Sequence, residues 1–326
     1  MNENTLIVGR DLRVWFEIRK TLFSKPIYVK AIDGVTISIR KGETVAVVGE
    51  SGCGKTTLGK TLLKLYKPTS GQIIYDGRRI DTLEEKDLKW YRREAQIIYQ
   101  DPYSSLNPFF TIERILMEPL IINEIGNSIQ ERREIVYRAL RDVKLEPPEL
   151  FANKYPHMLS GGQRQRVAIA RSLITNPRFI VADEPVSMLD ASVRVEIMYL
   201  LRNIQEKYNT SFLYITHDVS TVKYFSDTIN IMYAGKIVES GPVRDVLANP
   251  LHPYTQALIE AIPDPDPANR KTRRSVPSGE PPSLINPPSG CRFHPRCPYF
   301  IKGKCEVIEP ELIEKMPNHK VACHLY

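Results

Sequence analysis

Gly49-Glu-Ser-Gly-Cys-Gly-Lys-Thr56 is the stretch on which the fold turns. The residues before it, Thr44 to Val48, are apolar and β-branched, as a buried strand requires. The residues after it, Thr57 to Leu65, carry leucines at helical spacing. Strand, glycine loop and helix in that order curl backbone N–H groups around a phosphate and aim the positive end of a helix dipole at it. Gly49, Gly52 and Gly54 let the loop turn, Lys55 is placed to reach the β- and γ-phosphates, and the Thr56 hydroxyl is placed to bind Mg²⁺. A chance glycine turn is the competing reading, but it leaves the flanking strand and helix unexplained.

A second stretch, Phe179-Ile-Val-Ala-Asp183-Glu184, is an apolar run ending in two carboxylates. Strands of a parallel sheet are buried on both faces and look continuously apolar, and ligands gather at their carboxyl ends. On that reading Asp183 faces the Mg²⁺ held by Thr56, and Glu184 is the candidate general base for water. Taken alone, the run would equally suit a core strand with a solvated acidic turn.

The rest of the chain fits around these two stretches. Its 326 residues suffice for about two domains, and 42% hydrophobic residues suffice for a large core. Lys and Arg exceed Asp and Glu by 45 to 38. That surplus of +7 is compatible with a phosphate ligand or an anionic surface and dictates neither. No apolar run approaches the ~20 residues that cross a bilayer, and Met1 to Leu6 lacks a signal-peptide pattern. A cytosolic location follows as the expectation, and with it five cysteines that are not disulfide-bonded by default.

Residues 5–48 read as β segments with charged turns. Ile73 to Ile80 reads as a hairpin about Asp76-Gly77, Gln96 to Tyr99 as a strand, and residues 111–158 as a helical insertion. From about 162 the pattern is helix, strand 178–183, helix 190–207 and strand 211–216, which implies a parallel sheet with helices on both faces. A further hairpin is expected about Ala234-Gly-Lys236. Residues 262–290 hold eight prolines and read as a linker, whose basic run Arg270 to Arg274 is either a solvated stretch or a contact for anionic lipid or nucleic acid. The domain reading is therefore 1–261, with a helical subdomain at about 101–160, then the linker, then a tail at 291–326.

Between the two phosphate stretches lies Leu159-Ser-Gly-Gly-Gln163, at the start of a helix expected over Gln165 to Leu173, with Ser160 suited to cap it. This pentapeptide in this order resembles the signature of ABC-transporter ATPases. Gln100 before Asp101-Pro102, Ser187-Met-Leu-Asp190 and His217 after strand 211–216 match further landmarks of that family. The tail motifs His252-Pro-Tyr-Thr-Gln-Ala-Leu258, Gly279-Glu-Pro-Pro-Ser283 and Asn286 to Pro298, together with Tyr103 to Pro108, resemble oligopeptide and dipeptide import ATPases; related nickel and glutathione importers are similar. The resemblance implies an α/β phosphate-loop cassette with an antiparallel β subdomain, a helical subdomain and a cysteine-bearing extension. The activity it implies is ATP hydrolysis that powers uptake of peptides.

The same resemblance implies how the site is shared. Gly49, Glu50, Ser51, Gly52, Cys53, Gly54, Lys55, Thr56 and Thr57 grip the nucleotide in cis. Ser160, Gly161, Gly162 and Gln163 complete the site of a second ATPase subunit, the same chain or a sister. Thr56, Gln100 and Asp183 hold Mg²⁺, Glu184 activates water, and His217 contacts the γ-phosphate unless it is an ordinary core imidazole. Asp190 bridges subunits, orients His217 or caps its helix. Phe16 stacks on adenine, with Tyr28 as the alternative because the segment between them is long. Met188 stands where many relatives have a small residue. The implied partners are two transmembrane permease subunits, docked near Gln100 and residues 111–158 at the cytoplasmic face, and indirectly an extracytoplasmic solute-binding protein; no nucleic acid is expected. A soluble ABC ATPase acting on nucleic acid would carry paired cassettes or long coiled coils, which are not visible here.

Cys291, Cys297, Cys305 and Cys323 are spaced C-x5-C-x7-C-x17-C. Zinc favours C-x2-C pairs, whereas looser all-cysteine ligation suits an iron–sulfur cluster. Some peptide-import ATPases are associated with a [4Fe–4S] cluster at a tail of this type, so the expectation is a [4Fe–4S] cluster, with zinc or uncoordinated thiols as alternatives. Spare ligands would be His294, His319 and His324. A metal would staple a tail too short to bury much core.

Overall fold

The computed structural model describes residues 4–19, 25–262 and 279–326. The basic run Arg270 to Arg274 lies outside the described residues. The chain packs as two units, one from Met1–Ile39, Thr44–Asp81 and Ile215–Tyr326, the other from Arg40–Glu43 and Thr82–Tyr214.

In the first unit, strands β1 (Thr5–Ile18) and β2 (Ile27–Arg40) precede β3 (Thr44–Val48), which is buried along its whole length and ends at the glycine loop. Helix α1 spans Lys55–Leu62. It starts two residues before the leucine spacing suggests, because Gly54 itself is the cap at φ 108°, and it stops before Lys64, which is left-handed at φ 59°. Strands β4 (Ser70–Tyr75) and β5 (Arg78–Arg79) complete an antiparallel sheet in the order β2-β1-β4-β5. Asp76 and Gly77 between them both have positive φ, 46° and 80°, which is the two-residue hairpin turn the Asp-Gly pair signals.

Helix α9 (Val219–Phe225) leads to a second hairpin, β9 (Thr228–Tyr233) and β10 (Lys236–Pro242), turned by Ala234 and Gly235. Strand β3 runs parallel to β9, Val45 opposite Thr228 and Val48 opposite Ile231. Helices α10 (Val243–Ala248) and α11 (Pro253–Glu260) follow. The tail then adds β11 (Ile313–Met316) and β12 (His319–Val321) to the same sheet, β12 lying antiparallel to β10, in the order β11-β12-β10-β9-β3.

In the second unit, α2 (Lys89–Glu94) and β6 (Ala95–Ile98) precede a helical stretch of α3 (Pro102–Ser105), α4 (Ile112–Ile122), α5 (Ile129–Asp142) and α6 (Pro148–Ala152). Thr111 and Ser128 cap α4 and α5 by accepting from Arg114 N and Glu131 N. Helix α7 (Gly161–Leu173) leads to β7 (Phe179–Asp183), fully buried and parallel to β6, with Ala95 opposite Phe179. Helix α8 (Ala191–Tyr208) and β8 (Ser211–Thr216) return the chain to the first unit.

Candidate nucleotide-binding site

The glycine loop is built so that two positions admit no side chain. A Cβ on Gly49 would stand 2.1 Å from the Met232 carbonyl oxygen, and one on Gly54 would stand 2.2 Å from that of Ala31. Backbone therefore passes where a side chain would block it, which is the cradle a phosphate needs. Lys55 is buried, and its Nζ donates to the carbonyls of Gly49 (2.8 Å) and Glu50 (2.9 Å). Cys53 is also buried; burial raises its thiol pKa against the opposing pull of Lys55, so it fills space as a neutral group. Ser51, Gly52 and Thr56 are exposed around the cradle, and Thr57 is half-buried in the first turn of α1.

His217 follows the end of β8 and is exposed, so it is not a buried core imidazole. Phe16 is half-buried and meets Tyr66 edge to face at 5.3 Å between ring centres, whereas Tyr28 is exposed and tilts towards Trp15 at 6.4 Å.

In the second unit, Asp183 is a buried carboxylate at the end of β7, and Glu184 follows in the left-handed region at φ 48°. Gln100 Nε2 donates to Glu184 Oε2 at 3.0 Å, so these two site residues meet. Helix α7 begins at Gly161, earlier than the expected start. Ser160 Oγ accepts from Gln163 N, and Gln163 Oε1 accepts from Ser160 N, a reciprocal cap that leaves Ser160 exposed. Asp190 holds the N-cap position of α8 without capping it through its side chain. Met188 is exposed.

Mg²⁺ prefers oxygen donors, and a hydroxyl on Thr56, an amide oxygen on Gln100 and a carboxylate on Asp183 are each of that chemistry, so the residue types fit the cation. An ABC transporter profile matches residues 32–187, and an oligopeptide/dipeptide transporter C-terminal region profile matches residues 238–305. The chain is 46% identical over 328 residues to the oligopeptide transport ATP-binding protein AppF of Bacillus subtilis, covering 100% of this chain and 98% of that one.

The chain belongs to the ABC transporter ATPases.

Another relative of this ABC ATPase is the dipeptide transport ATP-binding protein DppF of Haemophilus influenzae, 44% identical over 99% of this chain and 98% of that one. Among solved structures, an ATP-binding cassette caught as a dimer after hydrolysis, bound to ADP and Pi, is 32% identical with a TM-score of 0.65. That match covers 73% of this chain and 99% of the cassette. The phosphate loop, the signature helix and the mixed α/β architecture are those of this fold, and the family works on ATP with Mg²⁺. No helix among the described residues is long and apolar enough to cross a membrane.

The expected [4Fe–4S] cluster, and zinc in its place, must be withdrawn. Among the described residues no group of three or more His, Cys, Asp or Glu side chains is placed to hold a metal ion. All five cysteines are free. Burial pushes the Cys291 thiol up to about 11 and raises Cys297 and Cys323 as well. The spare histidines are engaged elsewhere: His294 Nδ1 with the Cys291 carbonyl, His324 Nε2 with the Ile308 carbonyl and His319 Nε2 with Glu239 at 2.7 Å.

Polar contacts and a strand pairing hold the tail instead. Glu239, fully buried, accepts from the N–H groups of Leu251 and His252, both at 2.8 Å, as well as meeting His319. Arg292 reaches Asp33 and the Ala234 carbonyl. Arg296 grips Glu50 of the phosphate loop; burial works to lower its pKa, but hydrogen bonds to Glu50 and Tyr233 outweigh that and raise it. Sequence reasoning missed both Arg296 and Tyr254, whose hydroxyl accepts the Glu50 N–H at 2.9 Å. Both lie in motifs that were read only as marks of a subgroup.

Proposed function

We propose that this ABC ATPase is the ATP-hydrolysing subunit of an importer of oligopeptides or dipeptides, bound to its permease partners at the cytoplasmic face of a membrane. The observation that carries the reading is the full-length match to AppF and DppF, whose names specify oligopeptide and dipeptide transport, together with the matching C-terminal region.

On this reading residues 49–57 bind the triphosphate, and Lys55 leaves its two carbonyl partners for the phosphates. Ser160, Gly161, Gly162 and Gln163 present a capped helix N-terminus to the nucleotide of a second ATPase subunit. Thr56, Gln100 and Asp183 hold Mg²⁺, which supplies neutralising charge on the phosphates. Glu184, pointed by its hydrogen bond from Gln100, takes the proton of the attacking water, and His217 meets the γ-phosphate. Phe16 stacks on the adenine. ATP bound between two subunits joins them, and its hydrolysis releases them, which is the population shift that a permease can follow.

The second unit has a groove of about 230 Å³ whose lining includes Gln96, Ser105, Glu118, Ile122 and Arg171, with Phe109 and Ile121 exposed on the same helical stretch. It supports that region as the seat of a permease helix. The test is reconstitution of the full transporter in vesicles with its solute-binding protein. Turnover of ATP should rise with short peptides. A rise with nickel or glutathione and not with peptides would overturn the substrate assignment.

A further inference from the structure

The phosphate loop of this chain contains an acidic residue, Glu50, between Gly49 and Ser51. A carboxylate is a hazard inside an anion-binding loop, because it repels the triphosphate and competes for the same N–H groups and the same lysine. Glu50 is joined to that machinery directly, since its carbonyl accepts from Lys55 Nζ at 2.9 Å.

Its side chain, however, is held by an arginine of the tail. Arg296 Nη1 and Nη2 contact the two Glu50 carboxylate oxygens at 2.9 and 3.2 Å, a forked pair across 246 residues of sequence. The Arg296 side chain is 8% exposed and that of Glu50 27%, so the pair is largely withdrawn from water. Tyr233 Oη accepts a further bond from Arg296 at 3.3 Å. Tyr233, Tyr254 and Phe293 pack ring on ring around it, with centres 4.6 to 5.5 Å apart. Phe293 is buried three residues before Arg296, and Arg292 ties the same stretch to Asp33. The arginine is therefore delivered to the loop by the docked tail.

We propose that Arg296 is a positioning residue of the nucleotide site: it holds the Glu50 carboxylate out of the phosphate cradle, so that the C-terminal tail sets the affinity for ATP. The inference rests on the loop binding the triphosphate. A freed Glu50 carboxylate would oppose ground state and transition state alike, so its release raises KM and leaves kcat nearly unchanged.

The experiment compares Arg296→Gln, Glu50→Gln and the double variant in the full chain, by steady-state hydrolysis of MgATP and by titration with a fluorescent ATP analogue. Thermal melts check that each is folded. Arg296→Gln should raise KM and the analogue Kd about tenfold, the scale of an unpaired charge discounted for partial exposure. Adding Glu50→Gln should restore both to within about threefold of Glu50→Gln alone, because the neutral amide no longer opposes phosphate. If Arg296→Gln does not fold, Arg296→Lys carries the test; it keeps the charge without the fork and should give a smaller rise, again reversed by Glu50→Gln. An unchanged KM, or a rise that Glu50→Gln does not reverse, would overturn the proposal. Lys55→Ala is run alongside: if it still turns over ATP, the site assignment fails rather than the role of Arg296.

Discussion

His252 is predicted to make this protein sensitive to mild acid. It caps α11, and its Nδ1 accepts the Tyr254 N–H at 3.0 Å, so the ring's proton sits on Nε2. The ring is 1% exposed, Nε2 has no hydrogen-bond partner, and Phe293 packs against it at 5.8 Å. Burial lowers its pKa from an ordinary 6.5 to about 3, since a second proton would charge a dry site and break the cap. The folded pKa lies below the unfolded one, so the unfolded chain takes up the proton first as pH falls. The stabilising contribution is complete above about pH 6.5 and is lost towards pH 3, at about 1.4 kcal/mol per pH unit. At pH 5 this one group should have removed about 2 kcal/mol. His252→Asn retains a capping acceptor but does not titrate, at the cost of a constant offset for lost packing. Urea unfolding of both proteins at intervals from pH 7.5 to pH 5 measures the difference directly. The gap between variant and wild type should close by about 2 kcal/mol over that range. Two parallel profiles would refute the assignment of His252 as a buried neutral ring.

Ser160→Ala removes the reciprocal cap of α7 and should cost about 1 kcal/mol, read as a lower urea midpoint. Gly54→Ala forces a side chain to within 2.2 Å of the Ala31 carbonyl oxygen at φ 108°, and should weaken binding of a fluorescent ATP analogue by more than about tenfold. Glu184→Gln keeps an acceptor for Gln100 but no base; phosphate release should fall by about 10² to 10⁴ while nucleotide binding and melting temperature hold.

Much of this architecture is legible in the chain because local rules and tertiary packing agree. Val45 to Val48 and Phe179 to Ala182 are apolar at every position, and both strands are buried on both faces. Asp76-Gly77 needs positive φ twice, and the hairpin supplies it. Ser160 and Gln163 are spaced as a capping box, and they form one. Helix starts were less legible: α1 and α7 each begin earlier than apolar spacing suggests, because Gly54 and Ser160 stop the loop at once and leave no frayed turn.

The tail was misread for a different physical reason. Cysteine spacing is a one-dimensional signal, and it says nothing of where histidines and thiols are used. His319 goes to a buried carboxylate, Glu239, and the stretch is held by β12 on β10 and by two arginines. A bond such as Arg296 to Glu50 has no local signature at all, since it depends on how two distant segments pack. The forked pair could have been suspected only from the oddity of a carboxylate inside a phosphate loop.

The central claim is that Lys55 and its glycine cradle bind the triphosphate that this protein hydrolyses. Phosphate release by wild type and Lys55→Ala, at saturating MgATP and matched folded concentration, tests it most directly. Wild type should turn over ATP, and the variant should fall to the background rate because its loop has lost the cation that meets the β- and γ-phosphates. Equal turnover by the two proteins would contradict the account.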